Sequence, residues 1–218
     1  MSIATENFVK AIYKNKHQEH KNTKPGTIAK LLHISNAAAT DMSKKLAEKG
    51  LLKYEKYQEL QLTDKGTEMA LSVIRKHRLW ESFLFKLFDM SLHDIHREAE
   101  LLEHQTSDLL ADKISAYLGH PKFDPHGDPI PNAKGEITTV DTSITLSEAE
   151  DNKTYIISRL MSNDKEFLDF CVDNGLKYGN TIKVVKQFSN SNMTEVTVEN
   201  KTILLNQDFT TIIYINEN

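Results

Sequence analysis

The sequence predicts a mainly α-helical chain with a small β component, built in three parts. These are an N-terminal winged helix-turn-helix, a helical middle and a small antiparallel β-barrel at the C-terminus. Three observations predict it. Helical apolar spacing fills most of the first fifty residues and is followed by two short alternating runs. Long amphipathic stretches occupy the middle. Several β-branched, alternating runs follow residue 180. The expected boundaries are 1–72, 73–139 and 140–218.

Residues 4–20 read as a helix, with Phe8, Val9, Ile12 and Tyr13 on one face and Lys10, Lys14 and Lys16 outward. Lys24-Pro25-Gly26 breaks it. Thr27 to Leu32 is a short helix, and His33-Ile34-Ser35 a tight turn. Ser35 or Asn36 caps the next helix, which gains from Ala37, Ala38 and Ala39 and runs to Lys49 before Gly50. Leu51 to Glu55 and Leu60 to Thr63 are two strands around the turn Lys56–Glu59. Thr63 caps a further helix. This order is that of a winged helix-turn-helix with Asn36–Lys49 as recognition helix. Asn36, Thr40, Asp41 and Lys44 are its candidate base-reading residues and Ser35 a further candidate DNA contact, while Lys45, Lys53 and Lys56 are placed to meet phosphates.

Residues 67–89 form a long helix bearing Trp80, Phe83, Leu84, Leu87 and Phe88. A second starts at Ser91-Leu92 and continues through Leu110. Their apolar surface exceeds the needs of one small domain and predicts a helical dimer interface. Gly119 to Pro131 is a Pro/Gly loop holding His120, Asp124, His126 and Asp128. Gly135 to Ser147 reads as a linker. Tyr155–Ile157 is a strand and Asp164–Asn174 a short helix with Cys171 inward. Thr181–Gln187, Met193–Val198, Thr202–Leu205 and Thr211–Ile215 complete the barrel.

Composition narrows the class. Of 218 residues, 39% are hydrophobic and 27% charged, a soluble balance, and no apolar run approaches the ~20 residues of a membrane span. No secretory leader pattern is present, so a cytoplasmic protein is expected. A single cysteine excludes a disulfide framework and a multi-cysteine zinc motif. The net charge of −4 is unevenly spread. Residues 1–75 hold 13 Lys and Arg against 8 Asp and Glu, whereas the remainder is acidic. A basic head on an acidic body is the polarity of a DNA-binding protein.

The segment Ile74–Leu110 concentrates metal-ligating side chains. His96, Glu100, Glu103 and His104 fall at i, i+4, i+7 and i+8. On one continuous helix they form a stripe about 100° wide. Ile95, Ala99, Leu102, Leu109 and Leu110 form an apolar stripe beside it, so imidazole and carboxylate meet at a packing seam. His77 and Glu81 repeat the i, i+4 spacing. Such convergence suits a divalent metal; an exposed, salt-bridged helix face produces the same spacing.

Together these segments resemble the diphtheria toxin repressor family, including its manganese-regulator branch. The likeness covers essentially the whole chain. It rests on the winged head with YEKYQELQLTDKG at 54–66, KHRLWE at 76–81, HREAELLEH at 96–104 and PHGDPIP at 125–131. The resemblance implies a metal-dependent repressor of metal-homeostasis genes, acting as a homodimer on a palindromic operator, with an SH3-like C-terminal module and no enzymatic activity. It implies primary ligands Glu100, Glu103 and His104 with Asn7 from the first helix. It also implies an ancillary set of His77 and Glu81 with Asp124 and His126, or with His96, and a contribution from Asp164 or Glu166. Asn7 stands where the family carries Asp or Met, and Lys10 where the manganese branch can carry Glu; Glu6 could substitute. An oxygen and imidazole shell without thiolate suits Mn²⁺, with Fe²⁺ as the alternative.

Two other classes remain at this point. A metal-dependent hydrolase lacks any HExxH, nucleophile or phosphate-loop motif in support. A winged-helix regulator gated by a partner or small ligand, with a structural metal site, differs in that metal binding would leave DNA affinity unchanged.

Overall fold

In the computed structural model, which describes residues 2–138 and 142–217, the chain divides into two units. The first holds the chain up to His77, Leu101–Asp112 and Pro131–Ile137; the second holds Arg78–Glu100, Lys113–Ile130 and the chain from Thr138 onward. The expected boundary at 139/140 lies outside the described residues.

In the first unit, α1 (Ile3–His17) starts at Ser2, whose hydroxyl accepts from Thr5 N. Phe8, Val9 and Ile12 point into the core. Pro25 both ends the preceding connection and opens α2 (Pro25–Leu31), since its missing N–H costs nothing in a first helical turn. Helix α3 (Asn36–Glu48) is capped by Ser35, which accepts from Ala38 N at 3.1 Å. Ile28, Ala29, Ala39, Leu46, Leu51, Leu52 and Leu60 close the core around α1. Each large apolar side chain buried there contributes roughly 1.5–3 kcal/mol. The wing is a ribbon of β1 (Leu52–Lys53) and β2 (Gln61–Leu62), shorter than the alternation predicts. Leu60 donates its N–H to Thr23 O and accepts from Thr23 Oγ1, so its backbone serves the body of the head, not the ribbon.

Helix α4 (Asp64–Phe88) follows Thr63, which caps it through Gly66 N. Helix α5 spans only Leu92–Leu102, a correction to the continuous helix expected through Leu110. Thr106 Oγ1 bonds back to Leu102 O at 2.7 Å, and Ser107 accepts from Leu110 N to begin α6 (Asp108–Tyr117). The residues between, Glu103–Gln105, form a 3-10 turn. Glu103 and His104 therefore lie beyond the α-helix that carries His96 and Glu100. Ile95 and Ala99 are buried as expected, whereas Leu109 and Leu110 are exposed on α6.

In the second unit the loop 122–130 is a small hairpin, with Ile130 N bonded to Lys122 O and Asp124 N to Asp128 O. The C-terminal module is an antiparallel sheet of β3 (Ile144–Thr145), β4 (Thr154–Leu160), β5 (Thr181–Phe188), β6 (Met193–Val198), β7 (Lys201–Asn206) and β8 (Ile213–Glu217). Strand order is β3-β8-β4-β5-β6-β7, so β3 and β7 are edges and the sheet is open, not the closed barrel expected. Helix α7 (Lys165–Asp173) and the short α8 (Gln207–Thr210) accompany it, and Phe167 of α7 meets Phe209 of α8 edge to face. Cys171 is a buried core residue whose thiol burial pushes up to about 12. No helix among the described residues is long and apolar enough to cross a membrane.

A Cβ on Gly66 would lie 1.9 Å from the carbonyl oxygen of Leu51. Gly66→Ala must therefore push α4 away from the wing. We expect a stability loss of about 1–3 kcal/mol, read as a lowered urea midpoint.

Candidate metal centre and nucleic-acid interface

Each unit gathers acidic and imidazole side chains. In the first unit the 3-10 turn presents Glu103, one of the least accessible carboxylates of the chain at 1% exposure. Lys10 of α1 places its Nζ 2.8 Å from Oε1 and 2.7 Å from Oε2. His77 Nδ1 lies 2.6 Å from Oε2, and His104 Nε2 3.2 Å from Oε1. His104 in turn holds Glu6 of α1 through Nδ1 at 2.6 Å. That bond orients the ring with Nε2 toward Glu103, the arrangement in which a carboxylate behind an imidazole aims its other nitrogen. The Oδ1 of Asn7 and the Nε2 of His104 are buried and make no hydrogen bond. A cleft of about 490 Å³, lined in part by Glu6, Glu103 and His104, opens beside them.

In the second unit Glu81 is the centre. His96 Nδ1 of α5 lies 2.9 Å from Glu81 Oε1, and His126 Nε2 of the hairpin loop 3.6 Å from the same oxygen. The two rings meet at right angles, 6.3 Å apart. Glu100, one turn beyond His96, approaches its Nε2 at 4.0 Å. Behind them Asp124 organises the loop: its Oδ1 accepts from His126 N and Asp128 N, both at 2.9 Å. Its Oδ2 lies 3.6 Å from Arg78 Nε. Burial, reinforced by the charges of Glu81 and Asp128 and opposed by Arg78, holds the Asp124 carboxyl well above the usual carboxylate range. The loop is fastened to the sheet, with His126 O accepting from Leu160 N at 2.9 Å and Asp128 3.7 Å from Arg159. Gly127, at φ +91°, packs so closely on Ser158 that a Cβ would fall 2.0 Å from its carbonyl oxygen.

The structure thus brings Glu81, His96, His126 and Asp124 together with Glu100 alongside. In the first unit, Glu103, His104 and His77 come together with α1. Asp164 serves as the N-cap of α7, accepting from Phe167 N at 2.9 Å. Arg78 escaped the sequence reading: an arginine in a helix reads as solvated, and only the buried loop acids reveal its role. Lys10 was legible as a change of charge, but its contact with Glu103, 93 positions away, was not.

On the head, Ser35, Asn36, Asp41, Lys44 and Lys45 are exposed, Thr40 is half-buried, and the wing exposes Lys53 and Lys56. Ser35 and Thr40 spend their hydroxyls on α3 itself, Thr40 bonding Asn36 O. Asp41 and Lys45 pair at 2.8 Å in full solvent, a weak contact that a phosphate can displace.

Three family models match the chain. Residues 1–60 match the N-terminal DNA binding domain of the iron dependent repressors, 63–132 their metal binding and dimerisation domain, and 144–217 the FeoA domain. An uncharacterized HTH-type transcriptional regulator of Methanocaldococcus jannaschii is 32% identical over 118 residues, 54% of this chain and 94% of that one. A solved structure described as a manganese-dependent transcriptional repressor in complex with manganese is 29% identical, with a TM-score of 0.91 over 98% of this chain and 100% of that one. ScaR with bound Cd²⁺ is 33% identical, with a TM-score of 0.81 over 98% and 99%.

Because Asp124 holds a proton more tightly than an ordinary carboxyl, a dication entering the Glu81 cluster is expected to expel it. Metal binding should then release protons and weaken as pH falls. Calorimetry in buffers of different ionisation heat measures the release; identical heats in all buffers would exclude Asp124 as the linked group.

Proposed function

Since the chain belongs to the iron dependent repressor family of metal-dependent transcriptional repressors, we propose that it controls metal-homeostasis genes by binding a palindromic operator as a homodimer when Mn²⁺, or alternatively Fe²⁺, is bound. The supporting observation is the convergence of His96 and His126 on the buried Glu81 carboxylate. These donors, with Asp124 behind them and no thiolate, fit a hard or borderline dication. The ion would supply two positive charges to a pocket whose acids Glu81, Asp124 and Asp128 are faced by Arg78 and Arg159. Cys171 is spent on the core of the C-terminal module.

The chain's own residues divide the remaining work. Asn36, Thr40 and Lys44 on the outer face of α3 read base edges, with Ser35 and Asp41 beside them. Lys45, Lys53 and Lys56 neutralise phosphates. Exposed Leu101, Leu109 and Leu110, and likewise Phe85, Phe88 and Tyr117, are large apolar side chains that a second copy would cover. Their presence accords with the dimerisation domain matched over 63–132. The three-part division at 72 and 139 follows the same reading: head, helical metal-binding body and C-terminal module.

The test is operator binding by gel shift, titrated with Mn²⁺ and with chelator. Affinity should rise at least tenfold with Mn²⁺, and Glu81→Gln should abolish the rise. Lys44→Ala should instead weaken binding at every metal level and reduce the salt slope by about one. Equal operator affinity with Mn²⁺ and with chelator would reject the metal switch and favour a regulator gated by a partner.

A further inference from the structure

The carboxylate at the centre of the first unit already has a cation. Both oxygens of Glu103 are within 2.8 Å of Lys10 Nζ, and the two side chains are 0% and 7% exposed. The same ammonium lies 3.5 Å from His77 Nδ1. It is carried by the second turn of α1, the turn whose Phe8, Val9 and Ile12 are sunk in the core, so its position is set by packing. A dication bonded to either Glu103 oxygen would have this ammonium as its neighbour in a medium that screens charge poorly. Access is not the obstacle, because the cleft of about 490 Å³ opens on Glu103 and His104. The fit of a metal to the ligand set that the family resemblance places here fails at one residue. His104 Nε2 and Asn7 Oδ1 are available as donors, but Glu103 is engaged on both oxygens.

We propose that Lys10 is the resident cation of this cluster, in place of a divalent metal. The chain then takes its metal at the Glu81 cluster alone, and the attachment of α1 to Glu103 is independent of metal. This rests on the metal-dependent reading given above, and its test separates the two.

The full-length protein is dialysed against Mn²⁺ and the bound metal counted for each variant. Wild type should hold one Mn²⁺ per chain, lost in Glu81→Gln. Lys10→Met should hold two, the second removed again in the Lys10→Met/Glu103→Gln double variant, and Lys10→Arg should hold one. Thermal unfolding provides a readout independent of counting. Metal-free Lys10→Met, with a buried carboxylate stripped of its cation, should melt roughly 10 °C below wild type, and Mn²⁺ should restore it. Lys10→Gln, which keeps a hydrogen-bond donor, serves if the Met variant does not fold, and should likewise hold two. The proposal is overturned if wild type holds two Mn²⁺ and Glu103→Gln removes one, or if neither neutral variant gains an ion. Wild type without any Mn²⁺ would reject the Glu81 site while the gain of one ion in Lys10→Met still upheld the role of Lys10.

Discussion

A carboxylate sealed from water must be met by positive charge or by donated hydrogen bonds, and Glu103 is where the first unit answers that demand. Three elements supply the answer: α1 through Lys10, α4 through His77, and the 3-10 turn through His104. Glu6 then fixes His104 from the same helix that carries Lys10. The helix that fills the head's core is thus bound to the turn at two charged contacts. Where α1 sits, and with it the packing of α2 and α3, follows from both its apolar face and these polar ties.

The second unit faces the same demand with a different outcome. Glu81 and Asp124 are buried, and Arg78, from the helix turn before Glu81, is shared among Asp124, Asp128 and the carbonyl of Pro129. Arg159 also faces Asp128, yet burial and the charges of Glu81 and Asp128 hold the Asp124 carboxyl well above the usual carboxylate range. A pocket of this kind discriminates strongly between empty and cation-loaded forms, which is the property a sensor needs.

Much of this was legible in the sequence because it depends on local chemistry. Ser35 and Thr63 announce helix starts, and the alanines of α3 announce a helix. The alternation of β-branched residues after 180 announces the sheet. What failed was decided by competition between local signals. The pattern His96–His104 reads as one helix, yet the hydroxyl of Thr106 bonds the last carbonyl of α5 at Leu102 and that of Ser107 opens α6 at Asp108. Closure of the sheet cannot be read from strand content, since β3 and β7 alternate as edges or as partners alike. In the candidate site the residue types were readable and the groupings were not. Glu103 was readable as a ligand type, but its contact with Lys10 of the first helix was not.

The contact between Lys10 and Glu103 also bears on chemical environment. An ion drawn from solution is subject to dilution, chelation and export, so a site that uses one reports on the cell. A cation tethered to the backbone has a fixed effective concentration that no transporter or scavenger changes. It is also indifferent to competition among Mg²⁺, Zn²⁺ and Fe²⁺, since none of them has to be chosen or excluded. The attachment of α1 to Glu103 is in that sense indifferent to which metal ions surround it, and a metal signal must reach the head by another route through the protein.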